Sequence, residues 1–239
     1  MVGLSSAERK AERMRAFVER DKIIGDRAYN LIMGLVVFYG LVVNYILCAT
    51  IGPKIAFSMN PIVFIIGYFV LAIAGTVIAN RSNSPVISFL GYNMVVLPVG
   101  VLISTSVYYY GGVNSAVVTG AFYYTMLITG IMILASLLFP KFFSKLGGIL
   151  GIALFGIVIS GLIMSLFGFY SNTYSYIVAI IFALYIGYDF WRSQQFPKTA
   201  DNAVDCALDI YLDIINLFIR ILSIMGRNNG GSSSGGRAK

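Results

Sequence analysis

The chain has no acidic residue between Asp26 and Asp189. A few basic residues divide this stretch into uncharged and strongly apolar segments at 28–53, 55–80, 82–140 and 146–188. A helix that crosses a bilayer needs about 20 predominantly apolar residues. These segments therefore predict membrane-spanning helices, and they constrain the fold more than any other feature of the sequence.

Two of the segments are long enough for two crossings each. Segment 82–140 is interrupted at 108–114 by tyrosines, glycines and an asparagine, which are typical of a turn at the membrane interface. Segment 146–188 has a similar break at 170–175, and a last span runs from about residue 203 to about residue 225. The sequence thus predicts an all-α, polytopic membrane protein with seven transmembrane helices.

Composition excludes several functional classes. Hydrophobic residues make up 58% of the chain and charged residues 11%, whereas a soluble domain has about 25% charged residues. A soluble enzyme, a DNA-binding domain and a disordered chain are excluded on that ground. The absence of histidine excludes a Ser-His-Asp triad, a Cys-His dyad, an HExxH zinc site and a His-ligated haem. We predict no enzyme activity and no tightly bound cofactor.

We interpret the net charge of +7 as a topology signal rather than as a nucleic-acid footprint. With the N-terminus inside, most of the basic residues lie on the inner side, namely those of 1–27 with Arg81, Lys141, Lys145, Arg192 and Lys198. The outer side then holds only Lys54 and the basic residues of the tail. We predict an N-in, C-out protein that contacts lipid and no nucleic acid. Compact loops and the lack of a targeting signal favour a bacterial cytoplasmic membrane, with the endoplasmic reticulum as the alternative.

The seven predicted spans are flanked by two polar segments. Residues 1–27 are highly charged, and Ser5 and Glu8 fit a capping box before apolar residues at helical spacing. They predict an amphipathic helix on the cytosolic membrane face, although a charged tail without a helix fits equally well. The membrane domain covers 28–226, and residues 227–239 predict a flexible tail rich in glycine and serine.

Costly charged residues concentrate in the last two predicted spans. A charge at the bilayer centre costs about 2.5–3.5 kcal/mol on insertion scales, so it points to function by default. Four acids recur at steps of four in the seventh span, on one stripe of the helix: Asp201, Asp205, Asp209 and Asp213. We interpret Asp201 and Asp205 as a solvated helix start, which the helix dipole favours.

The same stripe continues deeper into the membrane. After Asp209 and Asp213 it contains Asn216 and Arg220. A stripe this polar cannot face lipid, so it must face other helices or a water-filled cavity. We therefore predict that the seventh helix is central in the bundle, with Asp209, Asn216 and Arg220 as pore-lining or supporting polar residues.

Asp189 ends the sixth predicted span, which is the antiparallel neighbour of the seventh. Depending on where the intervening turn is centred, Asp189 lies level with Asp213 or nearer to Asp209, so spacing leaves both as partners. Two carboxylates in a low-dielectric site share a proton and titrate in two coupled steps. Such a pair senses pH or binds a hard cation such as calcium. We interpret Arg81, in the second span, as its counter-charge or as a topological anchor.

At these residues the chain resembles the Bax inhibitor-1 family, also called the transmembrane Bax inhibitor motif family. The resemblance is carried by Tyr188-Asp189 and by residues 210–218, which read Ile-Tyr-Leu-Asp-Ile-Ile-Asn-Leu-Phe. It implies seven helices with the last one at the centre. It also implies a pH-sensitive calcium leak closed by a proton-sharing pair of aspartates, here Asp189 and Asp213, with Arg81 in contact. The chain departs from many relatives, which have Asp-Thr-Gln where it has Asp-Phe-Trp at 189–191.

Two functional hypotheses follow. The first is a passive, pH-sensitive cation leak in which Asp189 and Asp213 share a proton, with calcium as the transported ion. The alternative is a non-conducting regulator that binds other membrane proteins, such as a membrane-anchored ATP-dependent protease, through residues 1–27. An intramembrane aspartyl protease is disfavoured, because the chain has Gly187-Tyr188-Asp189 where the Gly-x-Gly-Asp signature would lie.

Overall fold

The computed structural model describes residues 22–50, 52–58, 60–167 and 172–230. In this part of the chain the ordered structure is helical, with no strand. The helices are α1 (Asp26–Ala49), α2 (Gly52–Ser58), α3 (Pro61–Arg81), α4 (Pro85–Tyr109), α5 (Ala116–Leu138), α6 (Pro140–Phe143), α7 (Gly147–Phe167), α8 (Asn172–Ser193) and α9 (Ala200–Gly230). The all-α prediction is confirmed for these residues.

Proline, serine and glycine set several helix boundaries. Pro61, Pro85 and Pro140 are the first residues of α3, α4 and α6, where a missing N–H costs no hydrogen bond. Ser115 caps α5, because its side chain accepts a hydrogen bond of 3.2 Å from the backbone N–H of Val118. The predicted break at 108–114 overlaps the last two residues of α4 and the connection to α5, in which Gly111 and Gly112 adopt positive φ angles of 96° and 82°.

Two short helices were not predicted. The second predicted span was expected to begin near residue 55, but a separate helix, α2, occupies 52–58 and the long helix begins at Pro61. A proline disfavours helical geometry in the residue before it, which explains an interruption at this point. The other short helix, α6, lies between α5 and α7 and begins at Pro140.

Four helices of the described chain are long and apolar enough to cross a membrane: α1, α4, α5 and α8. Shorter apolar stretches lie at Ile66–Ala79 in α3 and at Gly147–Gly161 in α7. Large hydrophobic side chains such as Phe38, Ile73 and Phe155 are exposed on these helices, and lipid is the environment in which such a surface is stable. The seven-span count and the N-in, C-out orientation stay predictions.

The chain forms two compact units. Among the described residues, the first unit contains those from Lys22 to Thr105 together with Arg192–Tyr211, and the second contains those in Ser106–Trp191 and from Leu212 to Gly230. The predicted amphipathic helix lies largely at 1–21, outside the described residues, as does tail segment 231–239. Helix α9 continues to Gly230, so the start of the predicted flexible tail is helical.

In the first unit, α3 and α4 approach each other closely. A Cβ atom on Gly75 would lie 2.5 Å from the carbonyl oxygen of Gly91, so two glycines allow the backbones to meet. The largest fully buried side chains of this unit include Tyr29, Tyr92 and Tyr211. Their phenols find hydrogen-bond partners, as buried phenols usually do.

In the second unit, the core forms around the start of α7. Phe143, Leu146 and Leu150 are buried, and residues of α5 and α8 pack against them, including Met132, Leu184 and Trp191. Gly187 of α8 lies directly against the ring of Phe143. Helix α8 is thereby fixed against the turn that joins α5 to α7.

Candidate functional site: the aspartates of α8 and α9

Helix α9 carries most of the acidic residues that sequence analysis singled out. Its start is capped locally, since the backbone N–H of Asn202 donates 3.1 Å to Thr199 Oγ and the amide of Asn202 donates 2.9 Å to the carbonyl of Pro197. Within 200–228 only Asn228 is exposed. Low exposure along a polar helix is consistent with a position among other helices, and the central position of the seventh helix stays a prediction.

In the second unit, Asp189 and Asp213 share a neighbour. The phenol of Tyr185, one turn before Asp189 on α8, interacts electrostatically with both carboxylates. Asp213 is 7% exposed and Asp189 is half-buried. Helices α8 and α9 therefore bring two acids to the same phenol in a mostly apolar unit, where each ionised carboxylate is costly.

The orientation of α8 follows from its glycine. A Cβ atom on Gly187 would lie 2.7 Å from Cζ of Phe143 and 3.1 Å from the carbonyl oxygen of Met132, so a larger residue does not fit there. On the next position, the hydroxyl of Tyr188 lies against Gly147 of α7. These contacts fix the rotation of the helix just before Asp189.

The sequence pattern does not mark Tyr185 as part of this site. A tyrosine in a membrane helix is usually an interfacial or packing residue, and nothing local distinguishes this one. The spacing of four between Tyr185 and Asp189 places both on one helix face, and that was the signal available in the sequence.

Two further predicted residues, Asn216 and Arg220, lie in the second unit, and each has a different contact. The amide of Asn216 donates a hydrogen bond of 2.8 Å to the carbonyl of Leu212, one turn back on its own helix. The guanidinium of Arg220 lies over the ring of Tyr174, 5.5 Å from its centroid, in a cation–π contact. Arg227 follows two turns later and donates 3.2 Å to Asn172 Oδ1 at the start of α8.

Arg81 and Asp209 belong to the first unit. Arg81 is the last residue of α3 and its side chain is exposed, and Asp209 is half-buried on α9. The predicted contact of Arg81 with the aspartate pair and the supporting role of Asp209 stay predictions.

The family is decided by comparison with known proteins. A family model described as "Inhibitor of apoptosis-promoting Bax1" matches residues 21–230, which is most of the chain. The protein belongs to the Bax inhibitor-1 family. The matched range includes every described helix, from α1 to α9.

Two curated relatives of this Bax inhibitor-1 family protein come from two strains of Helicobacter pylori, and both are uncharacterised proteins. Each is 35% identical to the chain over 107 residues. The match covers 43% of the chain and 44% of each relative, so it spans less than half the length of these proteins. The family assignment thus makes the chain a membrane protein, and its activity is a separate question.

The structure corrects one prediction about this family member. Asp201 and Asp205 were expected to form a solvated helix start, but they are 7% and 1% exposed. In the first unit the hydroxyl of Ser88, on α4, donates a hydrogen bond of 2.7 Å to Asp201 Oδ1. Asp205 interacts electrostatically with the phenol of Tyr29, on α1. Helices α1 and α4 cover the start of α9. The spacing of the acidic residues along α9 does not reveal that other helices bury them.

The turn between α8 and α9 is held to α1 in the same unit. The hydroxyl of Tyr29 donates 3.0 Å to the carbonyl of Ser193 and 3.4 Å to Cys206 Sγ. The ammonium of Lys198 lies 4.5 Å from the centroid of the Tyr29 ring and donates to the main chain and side chain of Gln194. Burial lowers the pKa of Lys198, and the neighbouring Asp26 opposes that shift.

Metal-binding capacity at these aspartates is limited. In the ranges that the structure describes, no three His, Cys, Asp or Glu side chains converge as they would around a resident metal ion. Calcium takes six to eight oxygen ligands. Asp189 and Asp213 can provide at most four carboxylate oxygens, so a calcium ion there would keep water or main-chain oxygens as ligands.

Proposed function

We propose that this Bax inhibitor-1 family protein is a pH-sensitive passive leak for calcium, closed by a proton that Asp189 and Asp213 share. The observation that carries the proposal is that both carboxylates lie in one compact unit and interact electrostatically with the same phenol, that of Tyr185. Two ionisable acids near one half-buried phenol are costly in a membrane, and such groups are retained where they bind protons or cations.

The proton acts by removing repulsion. When one proton lies between the two carboxylates, a single negative charge remains and α8 and α9 stay together. The Tyr185 hydroxyl is a hydrogen-bond donor available to that charge. Loss of the proton leaves two facing charges, which separate the helices or recruit a cation. Flux therefore rises as pH rises through the titration of the pair.

Calcium is the transported ion in this proposal and not a permanently bound ligand. A path that binds an ion weakly releases it readily, whereas a complete cage of six to eight ligands holds it. Two carboxylates with water as the remaining ligands fit a passing ion.

The proposed topology is multi-pass, with seven spans, N-in and C-out, and α9 at the centre. The low exposure of α9 over residues 200–227 supports it, because a helix with this many charges is stable in a membrane when other helices surround it. The four helices that are long and apolar enough to cross a membrane support the multi-pass character. We place the protein in a bacterial cytoplasmic membrane.

The experiment is a flux assay in proteoliposomes. The full chain is reconstituted with a calcium dye inside, and flux is followed over a series of pH values. The wild-type protein is expected to conduct more at higher pH. Asp213→Asn is expected to abolish that pH dependence, because the pair can no longer share a proton.

Asp209→Asn is the matched control, since it changes the same group one turn earlier on α9 and is expected to keep the pH dependence. The proposal fails if Asp213→Asn leaves both flux and its pH dependence unchanged, or if only Asp209→Asn alters them. A chain without flux at any pH, whose cross-linked membrane partner is lost on deletion of residues 1–27, would instead support the regulator hypothesis.

A further inference from the structure

The connection between α5 and α7 is a tightly hydrogen-bonded turn, residues 139–146, which we name the α6 turn. Backbone N–H groups of Phe142, Ser144 and Leu146 donate to the carbonyls of Phe139, Pro140 and Phe143, at about 3.0 Å each. A segment bonded in this way moves as a body. It has two faces of different chemistry.

The outer face combines lysines with aromatic rings. Lys141 and Lys145 are exposed, and Phe139 and Phe142 are 62% and 53% exposed beside them. The sequence has no acidic residue between Asp26 and Asp189, so nothing near the turn in the chain neutralises the lysines. Lysines attract anionic headgroups, and exposed phenylalanine rings insert at the boundary between headgroups and acyl chains, which makes this face complementary to an anionic lipid surface.

The inner face contacts α8. Phe143 is 2% exposed, and its ring packs against the backbone of Gly187 with no room for a Cβ atom. The rings of Phe142, on the outer face, and Phe143, on the inner face, are in edge contact with centroids 5.2 Å apart. The two faces of the turn therefore pack against each other. Because close-packed groups transmit displacement, a shift of the turn must move α8 two residues before Asp189.

We propose that the α6 turn binds anionic phospholipid headgroups, and that this binding sets the position of α8. The occupant is the headgroup of a lipid with a net negative charge in the surrounding membrane, held by Lys141 and Lys145 and flanked by Phe139 and Phe142. The consequence for ion flux rests on the proposed function, since it acts through Asp189. The lipid site itself is independent of it.

The chain carries its own reporter of this movement. Trp191 is the single tryptophan, and it packs against the buried cluster that contains Phe143. Its fluorescence emission changes when its surroundings change. Lipid binding at the outer face is therefore expected to shift the emission of Trp191.

The experiment titrates the full chain in a neutral detergent with phosphatidylglycerol, and separately with phosphatidylcholine. Phosphatidylglycerol is expected to give a saturable shift in Trp191 emission and phosphatidylcholine none. In Lys141→Gln/Lys145→Gln the apparent affinity is expected to fall roughly 25-fold, because each lysine near an anionic surface contributes about a factor of five. Lys141→Arg/Lys145→Arg keeps both charges and is expected to retain the shift.

Lys54→Gln, which removes an exposed lysine of α2 in the other unit, is the matched control and is expected to behave as the wild type. The lipid site is overturned if the wild type shows no shift, or if the double glutamine variant responds as strongly as Lys54→Gln. It is also overturned if inorganic phosphate alone gives the same saturable shift, because the ligand would then be a free anion.

Coupling to flux is tested in vesicles with and without phosphatidylglycerol. Calcium flux of the wild type is expected to depend on this lipid. Calcium flux of the double glutamine variant is expected to be the same with and without it. If calcium flux is the same with and without the lipid while the Trp191 emission still shifts, the coupling is overturned and the lipid site is supported. No flux in any vesicle, with the Trp191 response intact, overturns the proposed function and the coupling but supports the lipid site.

Discussion

Ser88 on α4 donates a hydrogen bond of 2.7 Å to the carboxylate of Asp201 at the start of α9. Both side chains are buried, at 0% and 7% exposure. This bond ties α4 to the polar helix of the first unit, at a position where the sequence predicted a carboxylate in water. Asp201 therefore joins α9 to α4 through this hydrogen bond, in addition to its favourable interaction with the dipole of α9.

Ser88→Ala is expected to destabilise the protein by about 1–3 kcal/mol, because a buried carboxylate loses a hydrogen-bond donor. The measurement is the thermal unfolding midpoint of the detergent-solubilised chain. Ser58→Ala removes a hydroxyl that is exposed on α2, and it is expected to have little effect. Asp201→Asn keeps an acceptor for Ser88, so it is expected to lower the unfolding midpoint less than Ser88→Ala does. Equal midpoints for the two serine variants would contradict the structural role of this bond.

Much of the fold follows from the sequence because membrane helices are patterned over long stretches. The uncharged segments predicted the all-helical class, and the glycines at 111 and 112 marked the turn between α4 and α5. The family was recognisable from residues 188–189 and 210–218, and the match over 21–230 confirms it.

The rest depends on tertiary contacts that no local pattern records. Asp201 and Asp205 are buried because α1 and α4 cover them, and their spacing on α9 is the same as that of a solvated stripe. Tyr185 joins the site through its electrostatic interaction with both carboxylates, on a helix whose Gly187 packs against Phe143. A glycine in a membrane helix has many uses, so its partner could not be named in advance.

Gly187→Ala is expected to destabilise the second unit by about 1–3 kcal/mol, because an added methyl group meets the Phe143 ring and the Met132 carbonyl. The thermal unfolding midpoint and the Trp191 emission both report it. Gly156→Ala on α7 is the control, since a Cβ there meets nothing within 4 Å among the described residues. It is expected to be neutral or slightly stabilising, as alanine favours a helix.

A double variant separates steric conflict from other causes. Phe143→Leu replaces the ring that occupies the space above Gly187, so Gly187→Ala should cost less in that background. If the two substitutions are instead additive, the close contact between the ring and the glycine does not determine the packing of α8.

Tyr211→Phe is expected to destabilise the first unit by about 0.6–2 kcal/mol. Its hydroxyl accepts a hydrogen bond of 2.6 Å from the amide of Asn44, which joins α9 to α1, and both residues are buried. The phenylalanine leaves that amide donor without its acceptor. Tyr123→Phe removes a hydroxyl from a tyrosine that is 68% exposed, and it is the matched control. Identical unfolding midpoints for the two variants would show that the bond contributes nothing measurable.

Lys198→Gln is expected to change how stability depends on alkaline pH. Burial lowers the pKa of Lys198 below its ordinary value of 10.5, with Asp26 opposing, so the unfolded chain binds this proton more tightly than the folded chain. The free energy of unfolding therefore rises with pH through the window between the folded and unfolded pKa values. Lys198→Gln lacks that contribution.

The measurement is the thermal unfolding midpoint of the detergent-solubilised full chain, taken from about pH 7 to about pH 11. The wild-type midpoint minus that of Lys198→Gln is expected to be constant near neutral pH and to increase as pH approaches 10.5, because the cost of burying the charged ammonium disappears. Lys54→Gln controls for the loss of one positive charge. Parallel curves for the wild type and Lys198→Gln across the whole range would show that the ammonium beside Tyr29 is as well solvated in the folded protein as in the unfolded chain.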